Sequence, residues 1–279
     1  MKKNLFTILA LLLCTLVFSQ TENATKYVDK ANLKLEKNDY QGAMATLNYG
    51  ILLFPDSVKL YDMRGALYET FGMFPEAIED FSSGIEKADD VEVKAHLLSN
   101  RGGSKARIRN FEGAYEDLIH AIQLDSTNIG ALNNLATICG EVDKPEQTLI
   151  YLHKIISLDP DYVPAYINLG FKHQEMGEHP KALEYFDMAL KLDPEEAFGY
   201  SNRSFSRLKT NDLVGAMEDI NRSLELFSTN SFAYKTRALI YIEQDQLGQA
   251  CEDLTKAEEL GFTQQYGDEV SVLKDKYCQ

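Results

Sequence analysis

Four arginines, Arg64, Arg101, Arg203 and Arg237, each stand sixteen residues before an aspartate, at Asp80, Asp117, Asp219 and Asp253. A guanidinium presents its N–H groups as a planar fork that fits a carboxylate through two parallel hydrogen bonds. Such an arginine can hold an acidic ligand or close an internal ion pair. Elsewhere the same spacing joins Lys30 to Thr46, Leu135 to Tyr151 and Leu169 to Tyr185. Arginine and aspartate thus appear and disappear together, which favours structural ion pairs over arginines reaching for a ligand. A second set, Asn100, Asn134, Asn168 and Asn202, recurs every 34 residues. A carboxamide supplies both a donor and an acceptor, the two functions of a peptide group.

Motifs that would carry catalysis are missing: no G-x-S-x-G, no H-E-x-x-H, no P-loop and no Cys-x-x-Cys. His96, His120, His153, His173 and His179 show no i,i+4 pairing of the kind a helical metal site uses. The abundant Asp and Glu read as solvated surface. The expectation is a protein without catalytic residues, metal or cofactor.

The elements that position these residues follow from an internal period. The segments starting at Ala165-Tyr166, Gly199-Tyr200 and Ala233-Tyr234 are offset by 34 residues, and small residues repeat at Ala43, Ala77, Ala114, Thr148, Ala182, Ala216 and Ala250. Seven units result: 24–57, 58–91, 95–128, 129–162, 163–196, 197–230 and 231–264, with Glu92 to Lys94 as an insert. Each unit reads as two helices. In 163–196 the first stripe is Tyr166, Leu169, Gly170 and His173, and Gly177 breaks it. The second stripe is Ala182, Tyr185, Phe186, Ala189 and Leu190, ended by Asp193-Pro194. No period-two alternation predicts a strand. Position 8 of the units holds Ala31, Gly65, Gly102, Ala136, Gly170, Ser204 and Ala238, small residues that let helix axes approach to roughly 8–10 Å. Unit 129–162 departs, with Thr148, Ile155 and Pro145 where the other units place Ala, mostly small residues, and in several cases Tyr or Phe, and looser packing is expected there.

These residues resemble the tetratricopeptide repeat family over 24–264. The resemblance implies an all-α, right-handed superhelical solenoid of antiparallel helix pairs. First helices would line a concave groove, second helices the convex face, and residues 265–279 would form a capping helix. It also implies that Asn100, Asn134, Asn168 and Asn202 face the groove, where some family members use an asparagine ladder to hold peptide backbone; the alternative is that Asn is simply common there. Phe171, Phe205 and Leu239 would make the C-terminal half of the groove apolar. The family's carboxylate clamp is not supported, because position 5 offers Val28, Asp62, Ser99, Asn133, Ile167, Ser201 and Lys235.

Lys2-Lys3 followed by an uncharged run from Leu5 to Phe18 reads as a signal peptide over 1–19, with 20–23 as a linker. The run is shorter than the roughly 20 residues a spanning helix needs. Export to a bacterial periplasm or beyond is expected, the alternatives being a signal anchor or a lipid anchor on Cys14. Removal of the leader leaves Cys139, Cys251 and Cys278, an odd number that requires a free thiol or an intermolecular bridge. A Cys251–Cys278 bridge would require the C-terminal helix to fold back onto the last repeat. The formal charge of −15 disfavours nucleic acid and anionic lipid as partners. The expected function is an exported, non-enzymatic scaffold that binds an extended segment of another protein in its groove. The alternative is a structural component of an envelope complex that uses its convex face or ends.

Overall fold

The computed structural model describes residues 24–278, and the expected leader and linker lie outside them. Among the described residues the structure is helical throughout, without strands. Residues 24–35 form α1. Then follow α2 (Tyr40–Leu53), α3 (Val58–Thr70), α4 (Phe74–Lys87), α5 (Val91–Arg107), α6 (Phe111–Leu124), α7 (Ile129–Ile138) and α8 (Gln147–Leu158). The second half continues with α9 (Val163–Glu175), α10 (His179–Leu192), α11 (Ala197–Lys209), α12 (Leu213–Leu226), α13 (Ser231–Glu243), α14 (Leu247–Glu259), α15 (Phe262–Tyr266) and α16 (Glu269–Tyr277). Helices pack as consecutive pairs, α3 with α4, α5 with α6, α9 with α10, α11 with α12 and α13 with α14.

The turn inside each pair has one recurring device. Asn38, Gly72, Arg109, Asp143, Gly177, Asn211 and Asp245, all at position 15, have φ between 56° and 73°. Left-handed backbone here turns the chain back within a few residues, and Gly, Asn and Asp tolerate it best. Where Asp39, Asn110 and Asp212 follow, the side chain accepts a hydrogen bond from the backbone N–H of Gly42, Gly113 and Gly215, satisfying a free donor of the next helix.

The chain divides into two compact bodies, with the boundary after Tyr151, inside α8. The first buries Leu47 and Leu60, then Phe81 and Leu97, then Leu118 and Leu135 in successive apolar clusters. The second buries Ile220 and Ala233 in one cluster, and Leu254, Phe262 and Val270 in another. Small residues at position 8 sit where helices cross. A Cβ on Gly65 would stand 2.7 Å from the Phe81 ring, and one on Gly170 only 2.4 Å from Phe186.

Three details differ from the sequence expectation. The insert Glu92 to Lys94 does not separate two helices: Asp90 accepts from the N–H groups of Glu92 and Val93, so α5 starts a turn early and reaches 17 residues. The C-terminal segment is not one capping helix over 265–279. Gly267, with φ 94°, separates the five-residue α15 from the nine-residue α16. In 129–162, Ile155 is fully buried and Thr148 Oγ1 donates to the Ala136 carbonyl at 3.3 Å, so both larger residues are accommodated. What sets this repeat apart is α7, which stops after ten residues. A shorter first helix leaves fewer hydrogen bonds to break before the pair opens. Amide hydrogen exchange is therefore expected to be faster across 129–162 than across 163–196; equal rates would mean that the shortened helix carries no penalty.

Candidate functional site

The arginine–aspartate sets are brought together in full. In each, Nε and Nη2 of the arginine donate to the two carboxylate oxygens: 2.7 and 2.6 Å for Arg64–Asp80, 2.8 and 2.7 Å for Arg101–Asp117. The distances are 2.8 and 2.7 Å for Arg203–Asp219 and 2.7 and 2.8 Å for Arg237–Asp253. Each fork ties a first helix to the second helix of its own pair. The remaining nitrogen, Nη1, donates to the preceding pair: to Asn48, Ser82, Asp187 and Asn221 respectively. All four acceptors stand at position 25 of the preceding repeat, a register the sequence analysis did not single out. The signal was present. Ile119 and His153 occupy that position before the two internal repeats that lack the arginine.

Donation to the Asp80 carboxylate raises Arg64 above the ordinary guanidinium value, and donation to Asp253 does the same for Arg237. At Arg203 burial pulls downward, and the bonds to Asp219 and Asp187 outweigh it. The four aspartates are buried. These arginines staple three helices and do not present themselves to a ligand.

The asparagines occupy less uniform surroundings. In the first body, the Asn100 carboxamide lies 3.0 Å from His96 Nε2 and 3.5 Å from Asp62 Oδ1. The hydrogen bond with Asp62 raises the His96 pKa. On the same side, burial pushes the Glu69 carboxyl up, against the opposing bond from Ser104. Asn134 Nδ2 packs over Gly103, where a Cβ would stand 3.1 Å away. In the second body Asn168 is half-buried on α9. Asn202 Nδ2 donates to the Phe198 carbonyl of its own helix at 2.9 Å. The Asn202 carbonyl accepts from Gln174 Nε2 at 2.6 Å, which joins α9 to α11.

The apolar set lies on adjacent first helices of the second body. Phe171 is 48% exposed. Phe205 and Leu239 are half-buried, and Phe205 sits between the rings of His179 at 6.1 Å and Phe232 at 6.0 Å. A residue that sequence reasoning set aside anchors the end of this face. Lys235 Nζ lies 5.1, 4.8 and 5.7 Å from the ring centres of Phe205, Phe232 and Phe262. Its ion-pair partner is Glu269 of α16, at 3.2 Å. Burial lowers the Lys235 pKa, and Glu269 opposes the shift. Among the described residues no cluster of three or more His, Cys, Asp or Glu could hold a metal ion.

Helix pairs stacked in one register, tied by repeating side-chain staples, define a helical-repeat protein. The tetratricopeptide repeat family matches residues 163–196. The chain is similar to a solved tetratricopeptide repeat protein from Parabacteroides merdae, with 18% identity and a TM-score of 0.70, covering 91% of this chain and 99% of that one. It is also similar to the Cut9–Hcn1 hetero-tetramer of the APC/C, with 16% identity and a TM-score of 0.73 over 93% of this chain and 54% of that one. Similarity to the MamA protein reaches 24% identity and a TM-score of 0.51 over 63% and 94% of the two chains. No curated protein matches by sequence. The described residues thus share the fold of solved tetratricopeptide repeat structures, and one segment, 163–196, matches the repeat family itself. Repeats of this family typically act as non-enzymatic scaffolds that bind other proteins or peptides.

Proposed function

We propose that this protein is an exported, non-enzymatic scaffold whose first-helix face holds an extended segment of another protein. The observation that carries the reading is Phe171, about half exposed on α9 next to the half-buried Phe205 and Leu239 on the following first helices. Such a face offers apolar anchoring flanked by carboxamides. Adjacent first helices stand about 10 Å apart and an extended peptide advances about 3.3 Å per residue, so one asparagine meets roughly every third ligand residue. Selectivity then comes from the apolar set. Export is supported by the leader pattern and by the Cys251–Cys278 disulfide, a bond that persists in oxidising compartments. No helix of the described residues is long and apolar enough to cross a membrane.

A second reading, assembly through the ends or the convex face, is favoured by Tyr49, Leu52 and Leu53 of α2, which are 54%, 75% and 45% exposed. Affinity capture from the native envelope, followed by titration of the partner obtained, separates the two. Replacement of Asn168 and Asn202 together by Ala is expected to weaken binding about fivefold to a hundredfold, at about 0.5–1.5 kcal/mol per hydrogen bond. A melting curve shows that the variant is folded. Unchanged affinity in a folded variant would transfer the binding role to the α2 end.

A further inference from the structure

The C-terminal helix buries little apolar surface. Val270 is the one fully buried side chain of α16, and nine residues are too few for a helix to persist alone. Beyond Val270 there are the half-buried Leu273, the exposed pair Lys274–Glu258 and the pair Lys235–Glu269. The covalent contact is the disulfide between Cys251 on α14 and Cys278 directly after α16, separated by 27 residues in sequence. Gly267, in the left-handed region, is a ready hinge between α15 and α16. The helix supplies Glu269, the counter-ion of Lys235, whose side chain is only 4% exposed and lies among Phe205, Phe232 and Phe262. An open cleft of about 460 Å³ runs along α14 beside Cys251, lined also by Gly248, Glu252, Thr255, Lys256 and Glu259. A small dithiol can therefore approach Cys251 through this cleft.

We propose that the Cys251–Cys278 bridge is a redox latch on α16: oxidised, it holds Glu269 over Lys235; reduced, it lets α16 swing out about Gly267 and opens Lys235 to solvent. The reductant is a dithiol. Its thiolate attacks one sulfur of the bridge and expels the other cysteine as a thiolate, giving a mixed disulfide. Its second thiol then displaces the remaining cysteine. Two electrons pass to the bridge, each cysteine takes up one proton, and the dithiol ends as a disulfide. The last first-helix position of the face thereby changes from a neutral ion pair to a free cation beside Lys209, whose Nζ lies 5.3 Å from the Phe205 ring. This consequence deepens the groove reading and rests on it; the latch does not.

The test uses the full chain, oxidised or treated with dithiothreitol, and the Cys251→Ser, Cys278→Ser double variant. Two readouts are followed by mass spectrometry: amide exchange over 269–277 and acetylation of Lys235 by an amine-reactive ester. Removal of the loop constraint is expected to raise both rates on the order of a hundredfold. The double variant should match the reduced protein without any reductant, while exchange over 163–192 stays unchanged. Lys235 labelling that is indifferent to reduction would overturn the proposal. So would a loss of protection that spreads to 163–192, since the bridge would then staple the whole body. No groove ligand enters the measurement, so failure of the groove reading leaves its result standing.

Discussion

Asp219→Ala is expected to lower the unfolding free energy by about 3 kcal/mol, at the lower end of what breaking a buried ion pair costs. The Asp219 side chain is 4% exposed and accepts from Arg203 Nε and Nη2, with Arg207 Nη1 3.0 Å away. Alanine leaves two guanidinium groups facing a cavity, with Asp187 as the remaining partner of Arg203. Arg203 keeps 15% of its surface in water, which holds the loss below that of a fully buried charge. A contribution of about 0–1 kcal/mol applies instead to surface pairs such as Lys256–Glu259. Glu259→Ala is the control and should change stability by less than about 0.5 kcal/mol. A swap of both partners, Arg203→Leu with Asp219→Tyr, reproduces the Leu169 and Tyr185 of the preceding repeat and should recover part of the loss. Urea unfolding followed by circular dichroism measures all three. A loss for Asp219→Ala no larger than the control would mean that water screens the pair fully.

The pairing itself was legible because two residue types rose and fell together at one spacing. The third contact of each arginine was harder to see. Its acceptors are Asn48, Ser82, Asp187 and Asn221, three different side-chain chemistries that share only an oxygen acceptor. The relation becomes visible when position 25 is compared with the next repeat rather than with its own. Register within a helical repeat is local, whereas its stapling is between neighbours, and nearest-neighbour terms carry much of the stability of such arrays.

Helix pairs, turns and small crossing residues followed directly from the 34-residue period. The deviations came from local chemistry that interrupts a period. Asp90 captured two free N–H groups and drew the insert into α5. Gly267 split the C-terminal segment, and that split lets Cys278 reach Cys251, with their Cα atoms 5.5 Å apart. The asparagine register placed four residues at equivalent positions without specifying what each amide would meet. Asn100 meets Asp62 and His96, Asn134 packs over Gly103, and Asn202 turns back to Phe198. Side chains at one register position diverge because their neighbours are not repeated. Lys235 was judged against a clamp motif and dismissed, although its three phenylalanines and Glu269 come from four elements that only the fold assembles.

Gly170→Ala tests the packing rule of these helix pairs and is expected to lower stability by about 2 kcal/mol. In an open helix the same change would help by up to about 1 kcal/mol, because alanine is the better helix former. Here the added Cβ would fall 2.4 Å from Cε1 and 2.7 Å from Cδ1 and Cζ of Phe186. That ring is fully buried and is enclosed on its other sides, so either it or the helix must move, and overpacking of this kind costs about 1–3 kcal/mol. Gly248→Ala, with no atom within 4 Å of its added Cβ, is the opposite case and should be neutral or mildly stabilising. The repeats already contain the compensation. Ala31 and Ala238 share clusters with Leu47 and Leu254 at the corresponding positions, whereas Gly65 and Gly170 face Phe81 and Phe186, and Gly102 faces Leu118. A Gly170→Ala, Phe186→Leu double variant recreates the alanine–leucine pair. It should be more stable than the sum of the single changes by at least about 1 kcal/mol, the scale of coupling between side chains in contact. Denaturation midpoints of the four proteins in this cycle decide the matter: simple additivity would mean that helix spacing, rather than the glycine–phenylalanine contact, absorbs the added methyl group.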